Sequence, residues 1–473
     1  MYKLVVGLEV HAELKTKSKI FSSSANSYSV DANTNISPVD LALPGILPIL
    51  NEEAVRKALI AATALNCNLA KTMIFDRKNY FYPDLPKGYQ ITQATRPIGL
   101  DGYLMITVGE EDKKVLIHDI HLEEDTASLD HFGDYSLIDY NRAGIPLIEI
   151  VTEPCLHSVE EVLEFLESLR SLLIYCDISD AKTDKGQMRC DVNISLQDQS
   201  GKQLTSKVEI KNINSFNNVK DAILYEIKRQ SDLYERGIEV IQETRRFDDD
   251  KRRTFAMRTK VDAVDYRYYV EPNITPYIID EALKKSAKAD IPVLQYERIE
   301  KYMKEYSLSR YDAKVLVKDK EVSDYFEEVI SHGTDYKLAA NWVSGVILGH
   351  MNKFELSIKD IYLSPKHISE LISLVEANKI SIKQAKEVLY KSLQEEKDPA
   401  IIIKEENIEQ MDDDSKLGEI IVKVVEENKN LIEDYRNGKN VLDYFVGQVM
   451  KETRGRANPA KAVEMIKTEF EKY

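Results

Sequence analysis

The chain has 473 residues and a formal net charge of −16, a length that suits about three domains. So acidic a chain offers nucleic acid no global basic field, and any such contact must use local patches. Its apolar runs are short and interrupted, which argues against a membrane span, and the opening MYKLVVGLEVHAEL lacks the apolar core and cleavage site of a signal peptide.

In chain order, the first predicted element is a strand in GLEVHAEL, where Leu8, Val10, Ala12 and Leu14 alternate with Glu9, His11 and Glu13. That period of two is the mark of a strand with one packed face. The run Ser22-Ser23-Ser24 sits beside a turn-like Ala-Asn-Ser and reads as a loop rather than a nucleophile. Glu124 in HLEED and Glu149 in PLIEIV fall on further strand-like segments. Ser158 caps a predicted helix reaching Tyr175, with Val162, Phe165, Leu166, Leu169 and Leu173 at helical spacing. Next, MRCDVNISL sets Cys190, Val192, Ile194 and Leu196 against Arg189, Asp191, Asn193 and Ser195. KVEIKN sets Val208 and Ile210 against Lys207, Glu209 and Lys211. Of 14 prolines, 11 precede residue 300, so the remainder can be mostly helical. A strand-rich domain over 1–292, a helical domain over 293–405 and a helical tail over 406–473 are expected. An acidic linker is read at Lys397–Ala400 and Glu405–Asp414, and tail helices from Leu417 are broken at Asn437-Gly438 and Gly455–Pro459.

Chemistry enters through the polar face of these strands. Like-charged carboxylates gathered at about 4 Å repel by roughly 4 kcal/mol per pair at an effective dielectric near 20. They need a cation to stay ionised together, or one takes up a proton. A half-exposed antiparallel sheet shows the same alternation, but Glu, Asp and His are not favoured strand residues; the pattern by itself leaves metal site and wet face open. No GxxxxGK[ST] loop, GxGxxG unit or GxSxG elbow is present. Any ATP must then be held by metals on a sheet. The four cysteines, Cys67, Cys155, Cys176 and Cys190, have no paired spacing, which points to a reducing, cytoplasmic compartment.

Nine strings carry a family resemblance: GLEVHAEL, FDRKNYFYPDLPKGYQIT, HLEED, NRAGIPLIEIVTEP, RCDVNISL, KVEIKNINSF, ETRRFDDD, DYRYYVEPN and VGQVMKETRGRANP. They resemble the GatB/GatE family of tRNA-dependent amidotransferases from the first strand to the last helix. The resemblance implies an α+β fold: a glutamine-synthetase-like cradle with a curved antiparallel sheet, then a helical domain and an all-α YqeY-like tail. It implies an ATP-dependent carbon–nitrogen ligase, with GatA (a glutaminase) and GatC as partners in a heterotrimer. The side-chain carboxylate of Glu on tRNA(Gln), or of Asp on tRNA(Asn), would be phosphorylated and then amidated with ammonia from GatA.

The same resemblance makes Glu9, His11, Glu124, Glu149, Asp191 and Glu209 the metal and nucleotide ligands, with Glu124, Asp191 and Glu209 catalytic. Mg²⁺ suits the oxygen donors, while His11 suits Mn²⁺ better. Arg189 and Lys211 share strand faces with Asp191 and Glu209, and either contact phosphate or balance their neighbours. Lys78, Tyr82 and Lys87 fall in the block that lines the family's ammonia route, with Glu124 at its end. Lys439, Lys451, Arg454, Arg456 and Lys461 form the tail patch expected to hold tRNA phosphates. Arg245-Arg246 and the Arg267 segment are expected to make surface ion pairs. One departure stands out: the four cysteines that bind zinc in many relatives are replaced by Ser22, Ser24, Ser37 and Asp40. These cannot supply four thiolates, so no zinc is expected. A tRNA-binding scaffold without catalysis is disfavoured by the intact acidic set, and a ligase for a free small acid by the long helical tail.

Overall fold

The structure, a computed structural model, describes residues 2–27, 31–213, 215–259, 265–406, 408, 414–436, 441–453, 457 and 459–472. The chain divides into two compact units, Met1–Tyr296 and Glu297–Tyr473.

The first unit contains the strands in this order: β1 (Lys3–Glu13), β2 (Asn68–Leu69), β3 (Thr72–Met73), β4 (Asp76–Asn79), β5 (Tyr89–Thr92), β6 (Gly99–Val108), β7 (Glu111–Glu124) and β8 (Ser128–Phe132). There follow β9 (Tyr135–Asp139), β10 (Pro146–Thr152), β11 (Met188–Gln197), β12 (Val208–Ile213), β13 (Glu243–Asp248), β14 (Arg253–Thr259), β15 (Tyr269–Val270) and β16 (Tyr277–Ile278). Nine of them form one sheet, ordered β14-β13-β12-β11-β1-β10-β7-β6-β2. Its apolar face carries Leu8, Val10, Ile148, Ile150, Val192, Ile194 and Ile210, all essentially buried. Three helices meet this sheet: α1 (Glu52–Ala64), α2 (Val159–Tyr175) and α3 (Phe216–Glu235). Each opens on a side-chain cap, Asn51, Ser158 and Ser215 accepting from the first-turn amides, as exposed helix N-termini require.

The expectation of a wholly antiparallel sheet needs one correction. β12 and β13 run parallel, because the 20-residue helix α3 joins them as a crossover and returns the chain in the same direction. The sheet is therefore mixed. Close packing is tightest where β6 passes the end of α1. A Cβ on Gly102 would lie 2.4 Å from Cys67 Sγ and 2.6 Å from the Leu65 carbonyl oxygen. Gly102→Ala is expected to lower stability by about 1–3 kcal/mol, read as a urea midpoint. Adding Cys67→Ala should recover only part of it, because the backbone oxygen remains.

The second unit is helical, and its residues form two apolar clusters. One holds Tyr302, Phe326, Trp342 and Leu389; the other holds Leu417, Val425, Phe445, Ile466 and Phe470. The Lys397–Ala400 stretch is not a linker. Asp398 caps a helix over Pro399–Glu405, with proline at the position where its missing N–H costs nothing and Ile402 and Ile403 buried. Residues 407 and 409–413, the rest of the expected linker, lie outside the described residues. No helix among the described residues is long and apolar enough to cross a membrane.

Candidate functional site

On the polar face of the sheet, register decides which acids meet. β1 is flanked by β10 and β11, so Glu9 lies opposite Asp191 and His11 opposite Glu149. Two sets result, each offering ligand atoms within 4.8 Å of one another: Glu9, Asp191 and Glu209, and His11, Glu123 and Glu149. Both suit a hard divalent ion, with oxygen donors throughout the first and one imidazole in the second.

Each set is already cross-linked. In the first, Lys211 Nζ donates to Asp191 Oδ2 at 2.6 Å and lies 2.8 Å from Glu209 Oε1. Asn193 Nδ2 donates to Glu9 Oε1 at 2.8 Å, and Thr244 Oγ1 to Glu209 Oε2 at 2.7 Å. Burial and the Glu149 carboxylate raise the Glu9 pKa above the usual range. Burial opposes the Lys211 charge, but Asp191 and Glu209 outweigh it and raise its pKa. In the second set, His11 Nδ1 lies 3.2 Å from Glu123 Oε1 and 3.9 Å from Glu149 Oε2. His121 joins them, its Nε2 being 3.1 Å from Glu149 Oε2 and its Nδ1 2.7 Å from Asp119 Oδ1. Burial opposes charge on both imidazoles, yet neighbouring acids win: the His11 pKa is raised, and that of His121 is pushed up to about 10. Glu149 suffers the same burial, but His11 and His121 hold its pKa well below the usual carboxylate range.

Five of the six expected ligands therefore sit in these sets, and the sixth does not. Glu124 leaves β7 by the opposite pleat. Its Oε2 accepts from Lys87 Nζ at 2.7 Å and its Oε1 from the Ile91 amide at 2.8 Å. The carboxylate beside His11 in the structure is that of the preceding residue, Glu123, which the sequence reading passes over together with His121. The signal was there: in HDIHLEE, Ile120 and Leu122 oppose Asp119, His121 and Glu123.

The two adjacent glutamates line separate cavities. Glu123 borders one of about 350 Å³ with Lys78, Gln93, His121, Glu149 and Tyr268. Gln93 Nε2 is buried there with no hydrogen-bond partner among the described residues. Glu124 borders another of about 240 Å³ with Asp40, Asp84, Lys87, Tyr89 and Asp125. Lys78 lies 4.9 Å from the Tyr266 ring centroid, and Tyr82 is 45% exposed on the loop between β4 and β5. Arg189 donates to Asp125 Oδ1 at 3.1 Å rather than to Asp191.

The four positions that replace cysteines converge on one carboxylate. Asp40 accepts from Ser22 Oγ at 2.8 Å, Ser24 Oγ at 2.5 Å, and Ser37 Oγ and N–H at 2.9 and 2.8 Å. The cation beside it is Lys19, fully buried, with Nζ 3.6 Å from Asp40 Oδ2. Burial lowers the Lys19 pKa, an effect that Asp40 only partly offsets.

Arg245 corrects the surface reading of its segment. It points away from the acidic face to the fully buried Glu226, at 3.2 Å, and to Glu243, at 2.8 Å. Arg246 is exposed, and Arg267 offers its carbonyl to Asn79 Nδ2 at 2.7 Å. In the tail, Lys451 and Lys461 are exposed, whereas Lys439, Arg454 and Arg456 lie outside the described residues.

A family model described as the GatB/GatE catalytic domain matches residues 4–285, and one described as a GatB domain matches residues 324–470. The chain is 44% identical over 471 residues, 99% of each chain, to a protein of Oceanobacillus iheyensis named as the B subunit of aspartyl/glutamyl-tRNA(Asn/Gln) amidotransferase. Proteins of that name from Geobacillus thermodenitrificans and Geobacillus kaustophilus are each 45% identical over 473 residues, all of this chain and 99% of theirs. Similar at nearly full length and through both domain models, the chain belongs to the GatB/GatE family.

Proposed function

We propose that the chain works as the B subunit of an aspartyl/glutamyl-tRNA(Asn/Gln) amidotransferase, a ligase that activates a tRNA-bound carboxylate with ATP before amidating it. The observation that carries this reading is the pair of carboxylate sets on one sheet face. A carboxylate is a poor electrophile because oxide leaves badly. Its oxygen attacks the γ-phosphorus of ATP, ADP departs, and the resulting acyl phosphate carries a good leaving group. Ammonia then attacks the acyl carbon, phosphate leaves, and a proton is released to give the amide.

Mg²⁺, with Mn²⁺ suited to the His11 set, would neutralise and align the phosphate oxygens in such a transfer. Glu9, Asp191 and Glu209 would hold one ion and His11, Glu123 and Glu149 the other. Lys211 holds Asp191 and Glu209 together, and His121 orients Glu149; an ion in the first set would share those two carboxylates with the Lys211 ammonium. Lys78, Tyr82 and Lys87 are assigned to the passage of ammonia, where the Lys87–Glu124 pair offers a polar hand-over. GatA supplies that ammonia, GatC completes a cytoplasmic heterotrimer, and the fold is read as a glutamine-synthetase-like cradle with helical and tail domains at 293–405 and 406–473. No zinc is assigned.

The test is amidation by the chain assembled with GatA and GatC, offered glutamyl-tRNA(Gln) and aspartyl-tRNA(Asn) separately with ATP and glutamine. Amide on either tRNA supports the reading, whereas tRNA binding without ATP turnover would make the chain a scaffold. The tail's role has its own expected result. Lys451→Ala combined with Arg454→Ala and Arg456→Ala should weaken tRNA binding and reduce the slope of log K against log salt by about one per lost phosphate contact. An unchanged slope would remove these residues from the tRNA interface.

A further inference from the structure

Beside the His11 set, the segments around β4 and β5 bring donors rather than acids. Pairing of β6 with β7 ends at Gly99 and Ile120, and beyond it the Leu122 amide donates to Gln93 Oε1 at 2.9 Å. That bond fixes which way round the Gln93 amide lies, because its NH₂ group has no lone pair to offer the Leu122 N–H. Nε2 is left as the outer atom, buried and without a hydrogen-bond partner among the described residues. Leu122 stands between His121 and Glu123, whose side chains take the acidic face by alternation, and Gln93 lines the same cavity as both.

Lys78 reaches this cavity from β4, where it pairs with Gln90 of β5. Among the described residues it makes no salt bridge, and the Tyr266 ring centroid lies 4.9 Å from its Nζ. Burial opposes its charge, but the more distant Glu123 and Glu149, with Tyr268, outweigh that and raise its pKa. The cavity is thus lined by carboxylates of the His11 set together with an ammonium and an amide NH₂, neither of them given to a protein acceptor. An unmet buried donor is costly, and so is explained where a ligand completes it. Two such donors beside a cluster of acids suit a group that arrives on a substrate and grows more negative as it reacts. The carbonyl oxygen of an acyl phosphate is such a group. Ammonia adds its lone pair to the acyl carbon, and the C=O π pair moves onto oxygen. That pair returns as the C–O bond to phosphate breaks, and the departing phosphate takes the proton that nitrogen gives up.

We propose that Gln93 Nε2 and Lys78 Nζ form the oxyanion site of the amidation step, holding the carbonyl oxygen of the activated carboxylate and the charge that gathers on it. The assignment rests on the acyl-phosphate reading above. It makes Gln93 a catalytic residue and gives Lys78 a part in the chemistry beside the passage of ammonia. Donors fixed before the reaction stabilise such a charge without reorganising, and the Leu122 amide is what fixes Gln93.

The test uses the assembled three-subunit complex with aminoacyl-tRNA and separates two steps: the burst of ADP on mixing with ATP before ammonia is supplied, and the amide formed once it is. Gln93→Met keeps the length of the side chain without donor or charge, and Gln93→Glu keeps an acceptor for the Leu122 amide; where one proves unstable in urea, the other carries the test. Amide formation should slow about 100-fold, as it does on loss of an oxyanion donor, with the ADP burst and the KM for tRNA within about threefold of wild type. Lys78→Met should behave likewise, and equally with glutamine or ammonium chloride as the donor. If ammonium chloride restores Lys78→Met, that lysine serves the passage of ammonia alone and the two-donor site is overturned. Amide formed at the wild-type rate by the Gln93 variants would overturn the proposal, as would an ADP burst lost in step with the amide, which would move Gln93 to the phosphorylation step. A wild type that makes amide with no ADP burst would fell the acyl-phosphate reading itself, a result visible without any variant.

Discussion

Replacing Asp191 by Asn is expected to cut ATP-dependent amidation below about one per cent of wild type while leaving tRNA affinity within a few fold. The substitution keeps the shape and removes one charge. Asp191 is the middle acid of its set, on β11 between β12 and β1: it faces Glu9 across β1 and β11 and accepts from Lys211 at 2.6 Å. An amide in its place still accepts from Lys211 but no longer balances a divalent ion there, so the loss belongs to the reaction and not to the fold. Amidation and tRNA binding, followed on the same preparation, give the answer. A parallel fall in both would mean that Asp191 supports the tRNA surface, and retained amidation would remove it from the chemistry.

The largest expected loss of stability follows Asp40→Ala, about 3 kcal/mol by the usual cost of stripping one partner from a buried ion pair. Three serine hydroxyls and one amide converge on this carboxylate, and Lys19 has no exposure to water. Removal of Asp40 leaves that ammonium with only the Tyr140 carbonyl at 3.4 Å and the weaker attraction of Asp139 and Glu124 against its burial. Urea unfolding should show the loss, and Asp40→Asn should recover part of it through the retained serine bonds. Metal analysis of the wild-type chain should find no stoichiometric zinc, because lysine, aspartate and serines already satisfy one another. One zinc per chain, or an Asp40→Ala variant as stable as wild type, would refute this account of the loop.

Much of this could be read from residues alone, and the misses have physical causes. Alternation in three segments placed Glu9, His11, Asp191 and Glu209 on the acidic side, as the pleat of β1, β11 and β12 does. Across HDIHLEE the same alternation groups Asp119, His121 and Glu123, while the family resemblance points to Glu124, one residue on and therefore on the other face of the sheet. The parallel β12–β13 pair was hidden because a crossover helix and a long loop look alike until strand partners are known. Arg245 looked like surface because arginine usually is; the buried Glu226 that receives it comes from α3, 19 residues earlier. The Pro399 helix was masked by proline itself, which opens helices as readily as it interrupts them.

Neighbouring glutamates at the end of β7 make the strand a partition whose two sides are one residue apart. A slip of β7 against β10 by a single position would exchange Glu123 and Glu124, removing a donor from the His11 set and an acceptor from Lys87 at once. No point substitution elsewhere could mend both. Insertions or deletions of one residue within this strand are thus excluded by two compartments independently, whereas the β8–β9 hairpin beyond it, exposed at Phe132, Tyr135 and Leu137, is free to change length.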